Sequence, residues 1–192
     1  MSTRVKGGKR TQFPVPPEGL HQGVCADVWD IYTRSRREEW GGGLTDKTRL
    51  VFELAKVNKE TGRPYQVSQE YTASLFEKAK LRQHLESWRG RRFSEEELND
   101  FELENLLGVN CQLQVIHNIG NDGIVYANIA AIVPLAPGMT KIRISSDFVR
   151  KRDRDKQVAQ DEGAVPPNDD DDVPFSFLLP LLGLLPLLHL AA

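Results

Sequence analysis

Cysteine and histidine are scarce in this chain, and neither is arranged for metal or redox chemistry. Its two cysteines, Cys25 and Cys111, lie far apart in strand-like apolar settings without a CxxC spacing. Reduced, packed thiols are therefore expected, not a disulfide or a metal pair. The four histidines, His21, His84, His117 and His189, are scattered, and none has a second His or Cys at ligand spacing. The stretch GGGLTDK is glycine-rich but lacks the Gly-Lys-Ser/Thr ending of a phosphate loop. Adjacent carboxylates such as Glu38–Glu39 and Glu95–Glu96–Glu97 suit a solvated surface or the start of a helix. No catalytic constellation emerges, so the expectation is a protein that is not an enzyme, with no cofactor and no metal.

Long apolar runs are missing from the first 175 residues as well. The opening MSTRVKGGKR is basic with no apolar stretch behind it, so no secretory signal is expected. Net charge is only −2, but its distribution is uneven. Six of the 27 acidic side chains lie beyond Lys156, the last of the 25 basic ones, which leaves the body with four more cations than carboxylates. A mildly basic body suits a polyanionic partner, and the acidic tail points to a separate role.

Organisation follows from periodicity. Residues 1–18 read as a flexible arm. Strands are expected at GVCADVWDIYT (23–33), with Asp27 and Asp30 on a polar side, at TRLVFELAKV (48–57) and at YQVSQEYTAS (65–74). The segment SLFEKAKLRQHLESW then switches to helical spacing, with Ser74 as N-cap and Gly90 as stop. Ser94 and Glu97 have the spacing of a capping box. NCQLQVIHNI (110–119) alternates as a strand, GNDG reads as a hairpin turn, and IVYANIAAIVPL (124–135) is its partner. Residues 139–168 read as a disordered linker, polar and highly charged.

Three strands, a helix and two strands make the fold class mainly β. The order fits a five-stranded OB-fold-like barrel over 19–138, with the helix between strands three and four and a disordered C-terminal tail. Such barrels bind oligonucleotides on strands two and three and on neighbouring loops. Single-strand binding needs cations for phosphates and aromatic faces for bases. Candidates are Arg34, Arg36, Arg37 and Lys47 around Trp40 in the first loop, then Arg49, Lys56, Lys59 and Arg63 along the second strand and its turn. Trp40 either stacks on a base or folds back to staple the loop. Trp29, Tyr65 and Tyr71 read equally well as core or stacking residues. The cluster Arg89, Arg91 and Arg92 reads as a solvated face ahead of a second basic binding patch.

The tail carries a more specific pattern. Asp169, Asp170, Asp171, Asp172, Val173, Pro174 and Phe175 resemble the C-terminal tip of bacterial single-stranded DNA-binding proteins. The body, through YTASLFEKAKLRQHLESWRGRRFSEEEL and NLLGVNCQLQVIHN, is similar to phage and prophage single-stranded DNA-binding proteins. The resemblance implies binding and protection of single-stranded DNA during replication or recombination in a bacterial host cytoplasm. It also implies docking of replication and recombination proteins on 169–175. A protein-binding adaptor and a single-strand annealing recombinase, which would need to assemble into homo-oligomers, are the alternatives. In the family the tip's phenylalanine ends the chain and its carboxylate is read by partners. Here SFLLPLLGLLPLLHLAA (176–192) follows. It is short for a membrane span and broken by Pro180, Gly183 and Pro186, so a membrane partner is not the favoured expectation. A partner-bound segment or an incidental extension are the other readings.

Overall fold

The computed structural model of the chain describes residues 14–36, 38–120 and 123–163, with only the backbone at Trp40 and at 160–163. The chain divides into two units, 1–156 and 157–192. In the first, the described residues build a mainly β, antiparallel, six-stranded sheet with a few helices. Its strands are β1 (Gly19–Val28), β2 (Tyr32–Ser35), β3 (Leu44–Val57), β4 (Pro64–Thr72), β5 (Asn110–Ile119) and β6 (Val125–Pro134). Helix α1 is Lys80–Arg89, the short α2 is Glu95–Asn99, and α3 is Lys151–Gly163.

Along the sheet the order is β2-β3-β1-β5-β6, with β4 on the other edge of β3. Six strands form where five are expected, because the first expected strand breaks. Val28 pairs with Leu50 and Tyr32 with Lys47, so residues 29–31 bulge out and β2 continues along the edge of β3 that β1 occupies. No ladder joins β4 to β6, and the sheet stays open instead of closing into a barrel.

Alternation explains the core. Thr48, Leu50, Phe52 and Leu54 of β3 point inward and are fully buried, while Lys47, Arg49 and Val51 are only half-buried on the opposite face. Cys111, Leu113 and Val115 of β5, on the far side of β1, belong to the same core cluster. Both cysteines are buried free thiols, and burial first, then the nearby Asp27, pushes the Cys25 thiol up to about 12. Among the described glycines Gly23 is the most tightly enclosed, since an added Cβ would stand 2.9 Å from Leu113 Cδ1 and 3.3 Å from the Glu53 carbonyl.

Helix α1 buries Leu81, His84, Leu85 and Trp88, three or four residues apart, against β4 and β6. The helix starts later than its sequence pattern suggests. Ala79 occupies the N-cap, and Ser74 instead accepts from the Phe76 amide at 3.3 Å in a local turn. Gly90 ends the helix at φ 67°, the left-handed conformation glycine adopts without strain. Ser94 and Glu97 form both bonds of the capping box. The Trp88 indole donates to the Asn110 carbonyl at 3.1 Å, with its ring 5.5 Å from that of Phe52.

Residues 139–150, expected as linker, have no regular structure yet are pinned to the sheet. Gln22 donates to the Thr140 carbonyl at 2.7 Å, and the Asn110 amide brackets Ile142 with two bonds of 2.9 Å. Ser145 gives its amide and hydroxyl to the buried Glu53 carboxylate at 2.8 and 2.6 Å. Asp27, expected on a polar side of its strand, is 1% exposed. Its carboxylate accepts from Arg150 Nε at 3.0 Å and from the Lys151 amide at 2.8 Å, which caps α3. Residues 151–163 are then helical, a second departure from the expected linker.

Candidate functional site

The bulge at 29–31 aims Trp29 away from the core side of β1. Its ring is half-buried, with the Arg49 guanidinium 4.7 Å and the Lys151 ammonium 5.4 Å from the ring centroid. Around this ring lies a cavity of about 510 Å³, a size typical of small-ligand sites. β2 and β3 contribute Tyr32, Arg34 and Arg49 to its lining, and the first turn of α3 contributes Lys151 and Arg152. Two donors of its lining residues, Trp29 Nε1 and Arg49 Nε, are buried without a hydrogen-bond partner among the described residues.

Glu70 of β4, opposite Arg49 in the ladder, organises the cations. Arg34 Nη1 donates to both of its oxygens, at 3.0 and 2.8 Å, and Arg49 Nη2 lies 3.3 Å from Oε2. The Tyr32 hydroxyl donates to the same carboxylate at 2.7 Å. Partial burial pushes the Glu70 carboxyl up, but the Tyr32 bond and the two guanidinium groups outweigh it and hold the carboxyl below its usual range. The Tyr32 phenol is raised by burial and by the bond to Glu70. Lys151 pairs with Asp155, and Arg152 with Glu104 at 3.2 Å. Every cation of the cavity's rim is thus held by a carboxylate at a partly exposed site, where such pairs are worth about 0–1 kcal/mol.

Of the residues singled out in the sequence, Arg34 and Arg49 come together here. Lys47 and Arg36 lie next to them on the same β2–β3 hairpin, donating to Thr72 at 3.0 Å and to Thr45 at 2.8 Å. Arg37 falls outside the described residues, and Trp40 is described only as backbone, in a short 3-10 turn. Lys56, Lys59 and Arg63 are not brought to this cavity. They flank the β3–β4 turn at the opposite end of the ladder, where Lys56 and Lys59 are exposed and Arg63 pairs with Asp147 at 3.2 Å. The tip residues 169–175 lie outside the described residues.

Tyr71 is core, bonded to His84, and Tyr65 packs partly buried against the core. Arg89 and Arg91 both pair with Glu97. The bonds from those two guanidinium groups, with one from the Ser94 amide, hold the Glu97 carboxyl at about 2.

In the sequence Trp29 is undecided between core and stacking, and Lys151 and Arg152 carry no mark of a site. RKRDRDK reads as a charged linker, but Lys151 and Asp155 stand four apart, the spacing of a helical ion pair, and that signal marks the helix. Among the described residues no group of His, Cys, Asp or Glu could hold a metal ion, and no helix is long and apolar enough to cross a membrane. No family model matches the chain, and no curated protein matches it.

Proposed function

We propose that the chain binds single-stranded DNA without strong sequence preference and shields it during replication or recombination. The observation that carries this reading is the aromatic ring of Trp29 set among the cations Arg34, Arg49, Lys151 and Arg152 at the rim of an open cavity. Base faces and backbone phosphates are the two features every single strand offers, and stacking plus cation contact takes both. The basic balance of the body agrees with a polyanionic ligand.

The fold supports the same reading. Four strands, the first two arising from one broken strand, then a helix and two strands, paired antiparallel with a seam left between β4 and β6, suit an OB-like, partly open barrel. Helix α1 packs along that seam against both strands. In such a barrel the strand would cross β3 and β4 and the β2–β3 hairpin, the surface where Arg34, Lys47 and Arg49 lie. The tip Asp169–Phe175 would recruit replication and recombination proteins. The reading makes the chain a binding protein of the host cytoplasm rather than an enzyme.

Anisotropy of a labelled oligo-dT, titrated with the protein at low salt, tests this. Saturable binding, tighter than to a duplex of equal length, is expected. No binding to oligo-dT overturns the reading and leaves the protein-binding adaptor in its place.

A further inference from the structure

The first turn of α3 lies far in sequence from the β2–β3 hairpin, yet both wall the same cavity. Its position is fixed from beneath by two bonds to the buried Asp27, one from Arg150 and one from the Lys151 amide. That anchoring uses the Lys151 backbone and the Arg150 side chain. The Lys151 and Arg152 side chains are left for the cavity rim, where their carboxylate partners Asp155 and Glu104 hold them only by partly exposed pairs.

We propose that this turn is a second phosphate-binding wall of the single-strand site, with Trp29 as the stacking platform between the walls; the inference rests on the strand-binding function proposed for the chain. One strand would pass between Arg34 and Arg49 on one side and Lys151 and Arg152 on the other. In the free protein the Lys151 ammonium lies over the Trp29 ring. A nucleobase seated on the indole displaces it, and the released ammonium moves to a phosphate. The exchange is cheap because one screened interaction replaces another, while the base gains an aromatic face. Arg49, held by Glu70 and lying over the same ring, stays in place and supports the platform.

Salt dependence of oligo-dT affinity separates this inference from the function it rests on. For a single strand, the slope of log K against log salt falls by about 0.7 for each phosphate that the protein no longer neutralises. The double variant K151A/R152A keeps the backbone bond to Asp27 and is expected to fold, checked by circular dichroism and thermal melting. Its slope is expected to be shallower by about 1.4 than that of the unaltered chain. A charge-matched control, R92A/K141A, is expected to keep the slope of the unaltered chain. W29A is expected to weaken binding roughly 5- to 150-fold, and W29F to recover part of the loss. No binding by the unaltered chain sinks the function itself. Binding with an unchanged slope in K151A/R152A, or an equal change in the control, overturns the α3 wall alone. Full affinity in W29A removes Trp29 as the platform.

Discussion

The Tyr71 hydroxyl of β4 and Nδ1 of the His84 imidazole on α1 lie 2.8 Å apart in the core. Helix α1 packs on β6 as well as on β4, so this bond ties the helix to one side of the seam that no strand ladder closes. Once protonated, Nδ1 can only donate, and the Tyr71 oxygen would have to accept.

A pH dependence of stability follows. Burial, helped by the nearby Lys80 ammonium, lowers His84 from 6.5 to about 4. The unfolded chain therefore takes up the proton first, so stability is fully present above pH 6.5 and is lost as pH falls toward 4. The loss amounts to about 3 kcal/mol at one pKa unit per ~1.4 kcal/mol. Urea denaturation at pH 7 and pH 4.5 measures it, and H84Q should flatten the difference. Glu97, held at about 2, begins to lose its own contribution as pH falls through 4.5, at the acid edge of this window.

Removing the Trp88 side chain should destabilise the domain by about 3–5 kcal/mol. The ring is buried against Phe52, and its loss also leaves the Asn110 carbonyl without the indole donor. W88F, which keeps the packing but not the donor, should lose less. Denaturant midpoints of the two variants give the split.

Arg150 should matter more than an ordinary surface arginine. Asp27 is buried and takes two bonds from this turn, so R150A leaves a buried carboxylate short of its counter-ion, a loss of about 3 kcal/mol. The same charge removed at exposed Arg92 should cost less than about 0.5 kcal/mol. Thermal melts of both variants decide it.

Gly90 stands at φ 67° with room for a Cβ, the nearest atom being Pro134 Cγ at 3.6 Å. G90A should therefore cost about 1 kcal/mol through backbone strain alone, not through a clash. Replacement by asparagine, which tolerates the left-handed region, should recover part of it. Denaturant midpoints of both variants measure the difference.

How much of the molecule is legible in sequence depends on how local each cause is. NCQLQVIHNI alternates strictly, and β5 spans those residues. The capping box at Ser94 and Glu97 and the stop at Gly90 are also local signals that hold. The break at 29–31 is hidden, because Trp29, Asp30 and Ile31 continue the strand-like composition while the bulge arises from pairing with β3. The segment 139–150 reads as linker because its partners, Gln22, Asp27, Glu53 and Asn110, are far away in the chain. That same distance hides half of the candidate site. Arg34 and Arg49 announce themselves as loop and strand cations, whereas Lys151 and Arg152 join them only through the anchor on Asp27.

The most direct measurement is quenching of tryptophan fluorescence by oligo-dT at a series of salt concentrations. Strand binding at the Trp29 cavity requires quenching on binding and an affinity that falls linearly with log salt, by about 0.7 log units per decade for each phosphate held. No quenching at low salt, or an affinity indifferent to salt, would contradict it.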